Sequence, residues 1–198
     1  MLEKWIRLIY QRKVVTPLIP FLDMFTPCQI TVAGGISGIL SAACIILSSP
    51  LSATILLLLS GLCDTLDGSL ARHDNHTSNW GCALDIFTDR VVECAMILGL
   101  FFVNTSQRAV PCMLMLISIL LCITSFLLVG IFSSQEDSDK SFDYSPGLME
   151  RAEAFLFFIT MTWVPALFEL LAYAFTLLVF ITSFIRLYQF KLYSRITT

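Results

Sequence analysis

Residues 59–93 read LSGLCDTLDGSLARHDNHTSNWGCALDIFTDRVVE, and they set Asp64, Asp67, Asp85 and Asp89 within and between some of the most apolar sequence in the chain. At about 100° per residue, Ser60, Asp64, Asp67, Gly68 and Ala71 fall on one helical stripe. Gly81, Asp85 and Asp89 form a second stripe, which Glu93 extends by one turn. Residues 73–80 are polar enough to form the bend between two helices. Closing that hairpin brings the stripes face to face and the four carboxylates to one spot. Such a set cannot stay ionised in a low dielectric without a counter-charge. Hard oxygen donors suit Mg²⁺, Mn²⁺ or Ca²⁺, and two such ions held a few ångströms apart would clamp a phosphoryl group. Gly68, Ala71 and Gly81 leave the acid-bearing faces free of bulk, so a ligand or a neighbouring helix can approach the backbone. Arg72, just beyond, offers a planar donor fork for phosphate.

Composition supplies the setting. Of 198 residues, 57% are hydrophobic and 14% charged, against about a quarter charged in a soluble domain. The expected class is an all-α integral membrane protein. A net charge of −3 gives no reason to expect nucleic acid. The seven cysteines are scattered through apolar segments without a CxxC pair, as small buried hydrophobes are. His73 and His76 lie in the polar bend with no cysteine near them, and are read as solvated.

The pattern predicts six spans preceded by an amphipathic interfacial helix, giving a juxtamembrane segment over 1–25 and a six-helix domain over 26–198. Leu2, Trp5, Ile6 and Ile9 share one face of the leading helix, with Glu3, Lys4, Arg7, Gln11 and Arg12 opposite, as in a helix lying on anionic headgroups. Pro17 and Pro20 interrupt where a cleavable signal would need its apolar core. The first span is expected over 29–48, with Pro27 in its opening turn and Gly34, Gly35 and Gly38 as a smooth packing face. The second starts at Pro50 and is apolar to Cys63, while the third is apolar only from Cys94 to Val103. Their charged halves must face the protein interior or a water-filled cavity. A turn at 104–108, a fourth span over 109–132, a polar loop over 133–146, a fifth span from Gly147 to about Trp163 and a sixth over 166–187 complete the chain. Lys4, Arg7, Arg12, Lys13, Arg72, Lys140, Arg151, Lys191 and Arg195 then fall on one side and Arg108 alone on the other. By the positive-inside rule the aspartate hairpin opens to the cytoplasm, at the inner membrane.

Written as a pattern, the central stretch is D-x2-D-G-x2-A-R-x8-G-x3-D-x3-D. It resembles the signature of the CDP-alcohol phosphotransferase (phosphatidyltransferase) family, of the bacterial phospholipid-synthase type. The resemblance implies transfer of a phosphatidyl group from CDP-diacylglycerol to a small polar alcohol such as glycerol 3-phosphate or an inositol phosphate, with release of CMP. It implies that Asp64, Asp67 and Asp85 hold the metals, Mg²⁺ or Mn²⁺ and two ions in number. Asp89 would complete the second metal site and take the hydroxyl proton as catalytic base. Gly68, Arg72 and Ser78 would contact the nucleotide, with Ala71 and Gly81 lining the same faces. Family members with T-P-N before the first span resemble this chain's Thr26-Pro27-Cys28. Those acting on phosphorylated alcohols resemble its Glu150-Arg151 stretch, so Arg151 is carried over to the acceptor, whereas Ala154 stands where they place a second arginine. Asp89-Arg90-x2-Glu93 looks more like the inositol-phosphate branch. The family also implies a homodimer. Two other classes use buried acids. Intramembrane prenyltransferases separate their acid clusters by a large part of a longer chain, and ion or proton carriers show inverted repeats and a midplane site, neither of which this sequence displays.

Overall fold

The computed structural model describes residues 24–73, 78–133 and 149–197. The expected amphipathic helix over 2–13, the middle of the 73–80 bend and most of the 133–146 loop lie outside the described residues. Within them every regular element is helical: α1 Pro27–Ile46, α2 Pro50–His73, α3 Asn79–Val103, α4 Thr105–Ser133, α5 Arg151–Trp163, a 3₁₀ turn Pro165–Leu167 and α6 Phe168–Thr197. They divide into two compact units, one holding α1–α3 and the other most of α4 with α5 and α6.

Among the described residues, four helices are long and apolar enough to cross a membrane: those over Pro27–Ile46, Pro50–Arg72, Thr105–Phe132 and Pro165–Tyr193. Among these described helices, α3 carries Asp85, Asp89 and Arg90 in its first half and Glu93 just past its midpoint, and α5 has only 13 residues. The protein is a multi-pass membrane protein, and its packing is that of one. On α2 the large side chains Leu51, Ile55 and Leu58 point outward while Ala53, Leu57 and Ser60 are buried. That arrangement suits hydrocarbon outside and small residues between helices.

Local signals set the helix ends. Thr26 and Gln29 form a reciprocal cap on α1, with Gln29 N–H donating to Thr26 Oγ1 at 3.4 Å and Thr26 N–H to Gln29 Oε1 at 3.0 Å, and Pro27 occupies the first helical position. The expected turn at 104–108 contracts to Asn104, because Thr105–Arg108 supply an unbroken first turn to α4. The sixth helix runs ten residues past the expected Leu187, to Thr197. The apolar run ends near Leu187, but no Gly or Pro follows to stop a helix.

In the first unit α1 packs along both α2 and α3, while the backbones of α2 and α3 scarcely approach each other. The glycine face of α1 makes this possible. A Cβ on Gly34 would stand 2.9 Å from Cys63 Cβ, and one on Gly38 would stand 2.5–3.0 Å from three carbons of Val92. Gly99 on α3 returns the contact, its hypothetical Cβ falling 2.8 Å from the Ala42 carbonyl oxygen. Ser37 and Ser41, one turn apart and buried, donate at 2.7 Å to the Leu56 and Ala53 carbonyls of α2. Interhelical bonds of this kind contribute about 0.6 kcal/mol each in a bilayer. Ile30, Leu66 and Leu70 close the core beside them.

In the second unit Phe158, Phe168 and Phe175 are fully buried, and the rings of Phe157 and Phe158 meet that of Phe175 at 5.8 and 5.6 Å. Arg186 of α6 donates to the Cys122 carbonyl of α4 at 3.1 Å, which gives a guanidinium near the end of an apolar run a polar partner.

Candidate metal centre

The first unit carries the acids. Asp64 and Asp67 project from α2 and Asp85 from α3, and one oxygen of each lies within 4.8 Å of the others. Asp67 is buried, and Asp64 and Asp85 are half-buried. At an effective dielectric near 20, two like charges 4.8 Å apart repel by on the order of 3 kcal/mol. Three such pairs amount to a large part of a domain's net stability of about 5–15 kcal/mol, so the convergence calls for a cation. An octahedral Mg²⁺ or Mn²⁺ with bonds of about 2.1 Å sets its ligands about 3 to 4.2 Å apart. All the donors are hard oxygens, so the site fits a divalent cation of this class.

Asp89, one turn farther along α3, stands outside this group. Its Oδ2 is 3.9 Å from Arg90 Nη2, and Arg90 Nη1 donates to Glu93 Oε2 at 2.6 Å. The structure therefore brings three of the four aspartates together and pairs the fourth with an arginine.

The other expected site residues fall into place on the same two helices, with one exception. Gly68 lies one position past Asp67, and the nearest atoms a Cβ there would meet are those of the Arg72 guanidinium, at 3.5–3.9 Å. No helix presses on it, so it lacks the packing role of Gly34 or Gly38. Arg72 is exposed and donates to Ser69 Oγ at 3.3 Å, while Ala71 is half-buried beside it. Ser78 caps α3, its Oγ accepting the Gly81 N–H at 3.0 Å. The oxygen is engaged there and the hydroxyl proton is left to donate. Among the described residues, a Cβ on Gly81 would meet only that Ser78 oxygen, at 3.2 Å. Arg151 is the exception: it opens α5 in the second unit, its guanidinium 5.3 Å from the Phe155 ring centre.

Two partnerships escape the sequence pattern. Thr31 of α1 donates its hydroxyl to Asp67 Oδ2, across a separation of 36 residues, and the same oxygen lies 3.1 Å from the Pro27 carbonyl. Its only outward signal is a hydroxyl one turn inside a capped, apolar helix. The Arg90–Glu93 ion pair is the second; the run Asp89-Arg90-x2-Glu93 is visible in the sequence, but not that Arg90 turns one amino group to each carboxylate.

A helical membrane protein with a carboxylate centre between two half-apolar helices is the class that fold and site define. Residues 24–187 match the family described as CDP-alcohol phosphatidyltransferase, and the chain belongs to that family and is an enzyme of its class. It is 31% identical over 170 residues to the inner membrane protein YnjF of Escherichia coli, covering 83% of this chain and 82% of that one. It is also 31% identical over 180 residues to the bifunctional IPC transferase and DIPP synthase of Aquifex aeolicus, covering 88% of this chain but 42% of that longer protein. Among solved structures, the Mycobacterium tuberculosis phosphatidylinositol phosphate synthase in complex with manganese and citrate superposes with a TM-score of 0.73 at 20% identity, covering 89% of this chain and 88% of that one. The same synthase with CDP-DAG bound gives a TM-score of 0.67 at 22% identity, over 90% and 94% of the two chains. At such identities the likeness is one of fold.

Proposed function

We propose that this protein moves the phosphatidyl group of CDP-diacylglycerol to the hydroxyl of a small, phosphorylated polar alcohol and releases CMP. The observation that carries the reading is the convergence of Asp64, Asp67 and Asp85 within 4.8 Å inside a chain of this family. Mg²⁺ or Mn²⁺ bound there supplies positive charge against the pyrophosphate. Asp64, Asp67 and Asp85 hold the cations, and Asp89 completes the site of a second. The acceptor oxygen bonds to the β-phosphorus, the phosphoanhydride bond breaks, CMP keeps the bridging oxygen, and Asp89 takes the hydroxyl proton. Gly68 admits the nucleotide to the backbone of α2, with Ala71 and Gly81 lining the approach. Arg72 meets a phosphate, Ser78 donates its remaining proton to the nucleotide, and Arg151 takes the acceptor's phosphate. The names of the Aquifex and Mycobacterium proteins favour an inositol-phosphate-like acceptor over glycerol 3-phosphate. The active site faces the cytoplasm of an inner membrane, on the basic side of a six-span topology, and the protein acts as a homodimer; the first rests on charge asymmetry, the second on family resemblance.

The test is purified protein in lipid with CDP-diacylglycerol, Mg²⁺ or Mn²⁺ and a panel of free and phosphorylated alcohols. CMP should appear with one acceptor class and vanish on chelation. CMP release that ignores the metal, or none with any alcohol, rejects the reading.

A further inference from the structure

Glu93 is a carboxylate at the border of the apolar half of α3, between Val92 and Cys94. It is buried, next to the fully buried Val92 and one turn before Ile97. A buried charge persists in such surroundings only when paired, and Arg90 supplies the pair at 2.6 Å through Nη1. With that edge of the guanidinium fixed, the other edge is aimed. Nη2 faces Asp89 Oδ2 at 3.9 Å, an ion-pair distance rather than a hydrogen bond. The Nε of Arg90 is buried without a hydrogen-bond partner among the described residues, so the group is not spending its donors on the surrounding backbone. The planar fork, unlike a lysine ammonium, engages two carboxylates from fixed directions.

We infer that Arg90, anchored by Glu93, is a positioning residue for Asp89, an inference that rests on the base role proposed above. Attraction to Oδ2 turns that oxygen toward the arginine and so sets the plane of the carboxylate relative to the acceptor hydroxyl. The same attraction holds Asp89 apart from the carboxylates of Asp64, Asp67 and Asp85. Glu93 and Arg90 touch no substrate; they act through the orientation of one carboxylate.

The test separates positioning from stability. Glu93→Gln keeps the shape but loses the charge that holds Arg90, while the paired replacement Arg90→Met with Glu93→Leu removes both charges, a change that buried ion pairs often tolerate without loss of stability. Both variants, with Asp89→Asn alongside, are measured for thermal stability in detergent, affinity for CDP-diacylglycerol, and kcat of CMP release at saturating Mn²⁺ and acceptor. Glu93→Gln should lower kcat by about 10- to 100-fold with donor affinity within about twofold. The apolar pair should fold with near-native stability and keep the low kcat. If it turns over like the unaltered protein, the ion pair serves only the fold and the inference is overturned. A loss of donor affinity in parallel with kcat overturns it as well. Near-normal turnover in Asp89→Asn fails the base assignment itself, which is a separate result.

Discussion

Asp67 and Asp89 carry the same side chain on facing elements, and their partners divide the work between them. Asp67 is buried and accepts from the Thr31 hydroxyl, a bond that helps to fix the orientation of its carboxylate. Thr31→Val removes the donor and keeps the volume. It should weaken Mn²⁺ dependence by about 10-fold with little effect on saturated turnover, since outer partners of metal ligands carry effects of that size. A titration of CMP release against Mn²⁺ reads it, and an unchanged midpoint would show that the hydroxyl belongs to the Pro27 carbonyl instead. Asp64→Asn and Asp89→Asn should then part company. The amide keeps size but binds divalent cations poorly and takes no proton. Asp64→Asn should lose CDP-diacylglycerol binding and turnover together. Asp89→Asn should keep binding and lose turnover by about 10²- to 10⁴-fold. Equal losses of binding in both would place Asp89 with the donor rather than the acceptor.

Helix α1 bears no aspartate, yet the site depends on it. By packing against α2 and α3 while these stay apart, it sets the gap that the carboxylates span. Gly38→Leu would drive a side chain into Val92 and should lower the melting temperature in detergent, overpacking of this kind costing about 1–3 kcal/mol. Gly38→Ala combined with Val92→Ala should recover most of the loss. Gly68→Leu should do the opposite, folding normally and losing nucleotide binding, because the nearest atoms before it belong to the flexible Arg72 side chain at 3.5 Å and beyond. If Gly68→Leu unfolds and Gly38→Leu does not, the roles assigned to the two glycines are reversed. The contrast also marks how far sequence reasoning reaches. The smooth face of Gly34, Gly35 and Gly38, the acid stripes and the cap at Thr26 follow from spacing alone, since each is set by residues within a few turns. The packing of α1 against both acid helices, the Thr31 bond and the position of Asp89 outside the group of three depend on where distant segments meet, which periodicity does not encode. The end of α6 was missed for another reason: hydropathy marks where a helix leaves the membrane, not where it stops.

For the chain as a whole, the open quantity is the number of crossings, and it turns on α5. Its 13 residues rise about 20 Å, and the 3₁₀ turn Pro165–Leu167 adds about 6 Å, against a hydrocarbon core of about 30 Å. A shortfall of that size is met by local thinning of the bilayer. Charge argues that the helix does cross. The connections at 47–49, 104 and 164–167 contain no Lys or Arg, and Arg108 is the one basic residue near any of them. Lys140, Arg151, Lys191 and Arg195 flank the opposite ends of α4, α5 and α6. If α5 crosses, every basic end lies on one side; if it does not, the tail of α6 with its Lys191 and Arg195 is thrown to the other, against the positive-inside rule. In a background lacking the native cysteines, single cysteines at Ser106, Ser138 and Ala166 decide the matter. An impermeant maleimide should label Ser106→Cys and Ala166→Cys in intact cells, and Ser138→Cys only after permeabilisation. Protection of Ala166→Cys would reduce the count to five and place the tail outside. Labelling of Ser138→Cys with protection of Ser106→Cys would invert the protein and turn its aspartates away from the cytoplasm.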